Sequence, residues 1–271
     1  MNGAVNGPLL RHTLRGQRIR LGLVCLALAG WGAIPPIVYV RFGSRFQSLF
    51  QSGFLPPEMA RFGGGDIFSL AGAIALGLIH PISIILVAVF AVGFTTSAVA
   101  GERQRGTLEN LLARPISRRS LYVTLAVATL LFLSAAIASL LAGSIGGAAF
   151  SGIVRELPVE RLPLLWLNGV LLHASLASIG LAASVTFDRL PPALGLTLGC
   201  AVAMYAFEVL GSLWPAAAWL QSYSLFHYPK AKEILNGAPA AVDLAVLAGI
   251  ASLGAVWALV IFPRRDIASP S

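Results

Sequence analysis

Residues 121–150 read LYVTLAVATLLFLSAAIASLLAGSIGGAAF, 30 positions without a charged side chain. About 20 residues of helix cross the ~30 Å hydrocarbon core of a bilayer, so this run is long enough to span it. Because lipid offers the backbone no hydrogen-bond partners, the run must be helical. Five more apolar runs lie at 21–40, 67–99, 162–187, 190–213 and 240–262. The sequence therefore predicts an all-α, polytopic membrane protein with six transmembrane helices.

The composition agrees with a membrane protein and excludes several function classes. Hydrophobic residues make up 57% of the chain and charged residues 11%, whereas about a quarter of a soluble domain is charged. The net charge of +8 comes from basic residues at the ends of apolar runs, which indicates topology signals and no nucleic-acid partner. Cys25 and Cys200 lie inside apolar runs without metal-ligand spacing, so no metal or cofactor is expected on this chain.

The distribution of Lys and Arg predicts the orientation. Six spans place both termini on one side, together with the loop 100–120 and the Asp188-Arg189 turn. That side carries twelve of the 19 Lys and Arg residues. By the positive-inside rule it is cytoplasmic. We therefore expect a multi-pass protein of the cell membrane (inner or plasma membrane) with both termini in the cytoplasm.

The predicted domain organisation is one six-helix membrane domain, residues 21–262, between a cytoplasmic amphipathic segment, 1–20, and a cytoplasmic tail, 263–271. In the first segment, Leu10 and Leu14 share a face and arginines line another. That pattern is typical of a basic helix lying on anionic headgroups. Solvated arginines that only set the topology are the alternative.

The second and third apolar runs exceed the thickness of an ordinary bilayer. Residues 67–99 would form roughly 50 Å of continuous helix against a core of about 30 Å. Tilt absorbs part of the excess, and Pro81 is predicted to break the helix. We expect a helical hairpin that projects past the membrane and presents residues 101–119 in the cytoplasm.

The tip of this hairpin, residues 101–115, reads GERQRGTLENLLARP. Thr107 is a predicted N-cap, and the helix after it must end before Pro115; a second helix is predicted to begin at Ser117. Three leucines share one face by their spacing, namely Leu108, Leu111 and Leu112. Because so short a helix is unstable alone in water, it needs a surface. That surface is either the lipid headgroups or a groove on a cytoplasmic partner.

Residues 101–118, GERQRGTLENLLARPISR, closely resemble the G-E-[RK]-x-x-G-T-L-E-x-L-L-[AS]-x-P-[IVL]-[ST]-R segment of type-2 ABC transporter (ABC-2) permeases. Six spans, cytoplasmic termini and a long outer segment before the last span agree with that family. Residues 223–228, YSLFHY, are similar to its S-P-F-x-Y segment, with Leu225 in place of the usual proline. The resemblance implies a cytoplasmic coupling helix, an N-terminal elbow helix and a separate ABC ATPase.

The implied ATPase contacts are Glu102, Arg105, Gly106, Thr107, Leu108, Glu109, Leu111, Leu112, Arg114 and Pro115, with Asp188 and Arg189 as a second contact. A polar turn that caps two helices is the alternative for Asp188 and Arg189. Lys230 and Lys232 are the chain's two lysines and lie in no P-loop pattern. ATP and Mg are therefore expected on the partner. The resemblance implies two ATPase copies and a second permease copy, in a homodimer or a heterodimer.

Two further sets of residues are predicted sites. Gly195 and Gly199 form a GxxxG pattern that permits close helix approach, and Gly143 and Gly147 repeat it. The resemblance implies a dimer contact through the first and fifth spans, so Gly195 and Gly199 are the predicted interface, with packing inside one subunit as the alternative. The predicted outer gate lies around the aromatic-rich segment 214–239 and comprises Glu208, Tyr223, Phe226, His227 and Tyr228.

Other details of the outer side follow from position. Glu208 is expected at the outer boundary, paired with Lys230 or Lys232, and residues 230–235 are expected to form a short helix. His80 and His173 are predicted to be hydrogen-bonded polar residues and not ligands.

The expected function is that of a permease subunit, not an enzyme, which exports a lipophilic or amphipathic substrate. Low charge in the spans favours such a cargo, and the outward direction comes from the resemblance. A system for metalloenzyme (copper-centre) maturation is an alternative, ranked lower because the chain has three Met and no Cys-rich cluster. An intramembrane enzyme using the histidines or Glu208, and a membrane anchor or assembly factor, are alternatives of other classes.

Overall fold

The computed structural model describes residues 4–53, 68–108 and 116–265. These ranges contain α-helices, a π-helix at Ser97–Gly101 and short 3₁₀ turns, and no strand. The helices are α1 (Gly7–Gln51), α2 (Leu70–Ile79), α3 (Pro81–Thr96), α4 (Glu102–Gln104), α5 (Arg118–Phe150), α6 (Leu162–Thr186), α7 (Leu190–Leu213), α8 (Ala231–Leu235) and α9 (Ala241–Arg264).

Six helical stretches are long and apolar enough to cross a membrane. They are Gly7–Leu49, Leu70–Gln104, Arg118–Phe150, Val159–Thr186, Leu190–Leu213 and Ala241–Arg264. The prediction of an all-α protein with six spans is therefore confirmed.

The second span is broken where the sequence predicts it. α2 ends at Ile79, His80 is extended (φ −65°, ψ 145°), and Pro81 is the first residue of α3. The ring nitrogen Nδ1 of His80 accepts a hydrogen bond from the Ile82 amide at 3.3 Å. Pro81 removes no helical hydrogen bond here, because the first amides of a helix have no partner inside it. His80 is thus a helix cap, in agreement with its predicted polar role.

The N-terminal segment differs from the predicted elbow. α1 is one continuous helix of 45 residues, about 67 Å long, that includes both this segment and the first span. Leu10 and Leu14 pack against Phe90 and Phe132. Their apolar face is therefore partly covered by protein, and the segment does not form a separate helix. The physical reason is that α3 and α5 extend beside it and offer a surface that the sequence pattern alone does not show.

α1 and α5 run parallel in close contact through glycines. A Cβ on Gly143 would lie 2.0 Å from the carbonyl oxygen of Ala29, and one on Gly147 would lie 2.2 Å from that of Ala33. Only glycine allows backbones to approach this closely. The remaining spans pack around α6, which is mostly buried, whereas few residues of α7 and α9 are buried.

The bundle has two chemically different ends. The terminal end holds the first turns of α1, residues 97–108, the start of α5, the turn between α6 and α7, and the end of α9. The opposite end holds residues 151–161 and 214–240, which form 3₁₀ turns and the short helix α8. The predicted short helix at 230–235 is thus present as Ala231–Leu235.

Candidate functional site

The charged turn, residues 102–108, ends the second span at the terminal end. The Thr107 amide donates to the Glu102 carbonyl and the Gly106 amide to the Arg103 carbonyl, each at 3.0 Å. Gly106 has φ +69°. These two bonds and the left-handed glycine form a Schellman motif, which stops a helix and redirects the chain. The sequence therefore needs glycine at 106 in order to turn out of the helix.

Side chains brace the charged turn. The Glu102 carboxylate accepts hydrogen bonds from the Arg105 guanidinium and from the Thr107 hydroxyl. Both oxygens of Glu102 are therefore engaged within six residues of chain. The remaining predicted contacts in this segment, namely Glu109, Leu111, Leu112, Arg114 and Pro115, lie outside the described residues.

Leu108 points into the protein. Its side chain is 2% exposed and packs with Val99, Leu121, Val185 and Phe262. The expectation that Leu108 is an anchor on an outer surface is corrected by this burial. Leu108 instead fixes the end of the charged turn to α5, α6 and α9, because those helices bring apolar side chains around it.

A buried serine joins the π-helical turn, residues 97–101, directly before the charged turn, to α6. The Ser184 hydroxyl accepts from the amides of Val99 and Ala100, at 2.9 and 3.0 Å, and donates to the Thr96 carbonyl at 2.8 Å. Ser184 is fully buried. A π-helical turn leaves amides out of the regular helical pattern, and this hydroxyl satisfies two of them. Residues 97–101 are therefore fastened to the most buried span.

Ionic contacts connect the charged turn to the turn between α6 and α7. Arg103 lies 2.7 Å from the Asp188 carboxylate, and Arg265 pairs with the same carboxylate. The Gln104 side-chain oxygen accepts from the Leu190 amide at 2.9 Å. The structure thus brings together the two sets of residues that the sequence predicted separately. Arg189 is exposed beside them.

Arg118 completes this network at the start of α5. Its guanidinium donates to the carbonyl oxygen of Arg265 at 2.6 Å and lies 3.4 Å from those of Phe262 and Pro263. A cation at the C-terminus of a helix is favourable because unsatisfied carbonyls gather there. Four helix ends therefore meet at the terminal end through charged side chains.

Sequence reasoning missed several members of this network. Arg103, Arg118 and Arg265 were interpreted only as topology signals, and Gln104 and Ser184 were not singled out. The arginines sit at span ends beside the resembling segment, which was a usable signal. Nothing local in the sequence marks Ser184, because its partners lie 84 to 88 residues away.

Glu208 occupies a cavity at the opposite end. Its Oε1 accepts from the Gln221 side chain at 2.9 Å, and its Oε2 lies 3.8 Å from Nδ1 of His227. The side chain is 13% exposed. The expected pairing of Glu208 with Lys230 is wrong, since Lys230 lies 3.2 Å from Asp243. Asp243 belongs to the first turn of α9, which begins beside Lys230.

The predicted gate residues have different environments. Phe226 is buried and packs edge-on against Tyr205, with ring centroids 5.5 Å apart. The Tyr228 hydroxyl donates to the Ser222 carbonyl at 3.0 Å. Tyr223 is 68% exposed. A cavity of about 420 Å³ opens between Glu208, His227 and the 3₁₀ turns. The structure thus brings Glu208 and His227 to one cavity and leaves Tyr223 on the surface.

The environment of His227 opposes its protonation. Burial lowers the pKa of His227, and the positive charge of Lys230 lowers it further, while Asp243 and Glu233 act in the opposite direction. The imidazole is therefore neutral at neutral pH. It becomes charged only at a lower pH than a free histidine.

His173 lies in the middle of α6 and is 2% exposed. Its Nδ1 lies 2.9 Å from the Gly169 carbonyl oxygen, which agrees with the prediction of a hydrogen-bonded polar residue. Nε2 has no partner within the described part of the chain.

The two glycine pairs differ in their surroundings. A Cβ on Gly195 or Gly199 would meet no atom within 4 Å. The corresponding pair in α5 is filled by the backbone of α1. Gly143 and Gly147 therefore serve packing within the subunit, and Gly195 and Gly199 lie on an open face of α7.

Comparison with known families identifies the chain. Residues 11–267 match the family described as "ABC-2 family transporter protein". A search of curated proteins found no match. Members of the matched family form the membrane component of an ABC transporter. This component partners with an ABC ATPase, and the ATPase is the enzyme of the pair. This multi-pass chain belongs to the ABC-2 transporter family and is one of its permeases.

Proposed function

We propose that this chain is the permease subunit of an exporter, in which ATP hydrolysis with Mg on a separate ATPase drives an amphipathic or lipophilic substrate outward. The terminal end would face the cytoplasm of the cell membrane, as the distribution of Lys and Arg indicates. Two ATPase copies would bind there, one for each of two permease copies.

The observation that carries this proposal is the bracing of the charged turn. Residues 109–115 follow directly after Leu108, so a force applied to them reaches the charged turn. The hydrogen bonds of Ser184 connect the residues just before this turn to α6. The ion pair of Arg103 connects the turn to Asp188, and the packing of Leu108 connects it to α5 and α9. Displacement of packed helices by small shifts at an interface is an established way to switch a membrane pathway.

The opposite end supports the choice of cargo and gate. The described spans carry few charges, so they offer little compensation to a free ion. Glu208, Phe226 and His227 line a cavity built from 3₁₀ turns, and Tyr228 and the exposed Tyr223 belong to the same segment. Such turns have weaker hydrogen-bond geometry than α-helix and open more easily. We assign the outer gate to this region.

Copurification with the ATPase tests the coupling role. Leu111→Asp places a charge on the predicted leucine face, where burial against a partner would leave it unpaired. We expect ATPase recovery to fall at least about tenfold, since an anchor residue contributes more than 1.4 kcal/mol. Val5→Asp at the same end is the control, because Val5 is 39% exposed and lies outside the predicted contact.

The outcome is decided by comparing the two variants. Both must insert and elute as the parent does. Undiminished ATPase recovery with Leu111→Asp would remove the coupling assignment. If the complex forms but shows no vanadate-sensitive, substrate-stimulated ATPase activity, the chain is an anchor and not a transporter subunit.

Disulfide crosslinking tests the proposed dimer through α1 and α7. In a chain with Cys25→Ala and Cys200→Ala, Gly199→Cys should crosslink on oxidation, because an open face of small residues permits close approach of a second copy. Gly249→Cys on α9 is the matched control, since Gly249 also has no atom within 4 Å of an added Cβ. Equal crosslinking of both variants would argue against a specific α7 interface.

A further inference from the structure

A second polar cavity lies at the terminal end, between α1 and the charged turn. Its volume is about 460 Å³. One wall is a single face of α1, formed by His12, Thr13, Gly16, Gln17 and Arg20; the other includes Phe94, Ser97, Glu102, Arg105 and Leu121. The neighbouring leucines of α1 pack against protein. The face lined by polar and small residues does not pack in this way and borders the cavity.

The polar groups on this face of α1 have no partner among the residues that the structure describes. Across the described residues, no hydrogen bond or ion pair satisfies the His12 ring, the Thr13 hydroxyl, the Gln17 amide or the Arg20 guanidinium. Gly16 lies in the middle of them, and a Cβ there would meet no atom within 4 Å. The cavity is thus lined by several hydrogen-bond donors around an open space.

The charge of the cavity favours an anion. Glu102 is the one carboxylate among its lining residues, and both of its oxygens are engaged by Arg105 and Thr107. α1 contains no Asp or Glu. Among the described lining residues, the one acid, Glu102, is therefore already engaged and does not compensate Arg20. A guanidinium together with neutral donors is the set that binds phosphate oxygens.

The position of the cavity points to a lipid as the source of that phosphate. Arg20 is the last charged residue before the apolar run 21–40, and Ser97 follows the apolar helix α3. Both therefore mark a boundary between the hydrocarbon and the aqueous phase, where headgroup phosphates lie. Basic pockets between membrane helices bind anionic headgroups in this way. We propose that the cavity binds the phosphate of an anionic phospholipid, held mainly by Arg20.

Native mass spectrometry of the purified full chain in detergent can test this proposal. Phosphatidylglycerol should be retained about tenfold more tightly than zwitterionic phosphatidylcholine, as expected for a charge-assisted hydrogen bond of more than 1.4 kcal/mol. Arg20→Gln should reduce phosphatidylglycerol retention by about the same factor. Arg15→Gln is the matched control, because Arg15 lies on the same helix and outside the cavity lining.

A steric variant distinguishes lipid binding in the cavity from general attraction of anionic lipid by positive charge. Gly16→Leu keeps every arginine but fills the open space, so it should also reduce phosphatidylglycerol retention. Its thermal unfolding midpoint should stay at or above that of the parent, since Leu favours a helix over Gly. This variant shows whether loss of lipid reflects the cavity itself or a damaged fold.

Several results would overturn the proposal. Equal retention of the two lipids, or equal effects of Arg20→Gln and Arg15→Gln, would exclude a specific site. Displacement of phosphatidylglycerol by millimolar inorganic phosphate would identify a site for free phosphate and not for lipid. Unchanged lipid retention combined with reduced ATPase recovery in Arg20→Gln and Gly16→Leu would assign the cavity to a protein contact. The lipid readout does not depend on the transporter proposal.

Discussion

The terminal end and the opposite end of the bundle are held together in different ways. At the terminal end, Arg103 and Arg265 share Asp188, and Arg118 reaches the last carbonyls of α9. At the opposite end, Glu208 has one hydrogen-bond partner, Gln221, and faces a cavity of about 420 Å³. Apart from the cavity beside α1, the terminal end ties four helix ends to each other, whereas the opposite end leaves Glu208 and His227 beside open space.

This difference matches the two tasks of a permease driven by a partner. A region that receives force must be rigid, because a loose contact would absorb the displacement before it reached the spans. A region that releases cargo must open at low cost in free energy. The comparison therefore predicts that removing contacts at the terminal end costs more stability than changing side chains at the opposite end.

The largest effect is expected from Ser184→Ala. Alanine lacks only the hydroxyl of the serine it replaces, and it leaves the Val99 and Ala100 amides buried without an acceptor. Each such loss costs about 1–3 kcal/mol, so we expect the free energy of unfolding to fall by about 2–6 kcal/mol. Thermal unfolding in detergent measures it. Ser252→Ala is the control, since that hydroxyl bonds only to Ala248 in its own helix; equal losses would contradict a special role for Ser184.

A smaller effect is expected from Arg103→Gln. This change removes the ion pair with Asp188 while Arg265 still compensates that carboxylate. We expect a loss of about 1 kcal/mol in unfolding free energy, because the pair is only partly buried. Coupled ATPase activity should fall more than this loss explains. Arg119→Gln, at an exposed residue of the same end, should change neither; matching results for the two variants would show that the charged turn is not braced through Arg103.

The smallest effect is expected from the pH dependence of His227. Because the folded pKa of His227 is lowered, the unfolded chain binds the proton first as the pH falls below about 6.5. Unfolding free energy is therefore lost as the pH falls from that value through the folded pKa. His227→Gln should remove this pH-dependent contribution of His227. The thermal unfolding midpoint should then fall between pH 7.5 and 5.5 by about 1–2 °C less than in the parent. An unchanged pH profile would show that the opposite end does not respond to this group.

Much of the fold could be predicted from hydrophobicity alone. The bounds 190–213 were predicted and observed for α7, and the break at Pro81 lies where the missing amide requires it. These features depend on local chemistry, because lipid forces each apolar run to be helical and proline cannot continue a helix. The charged turn was located by resemblance, whereas the role of Gly106 in redirecting the chain became visible only in the structure.

Other features could not be predicted because their partners are distant in sequence. The first twenty residues have the amphipathic pattern of a surface helix, yet their leucines pack against Phe90 and Phe132. Leu108 shares its spacing with two other leucines, yet it is buried in the chain's own core. A pattern identifies an apolar face, but it does not identify what covers that face.

The two glycine pairs show most clearly what sequence-based prediction cannot determine. The sequence by itself determined that α5 and α7 each carry small residues four positions apart, because spacing along a helix is local. Only the tertiary structure decided that Gly143 and Gly147 meet α1 while Gly195 and Gly199 stay open. Which helices become neighbours depends on packing summed over the whole bundle. The sequence therefore determined six spans, the break at Pro81 and the charged turn, and three-dimensional packing decided which of these surfaces were left for a partner.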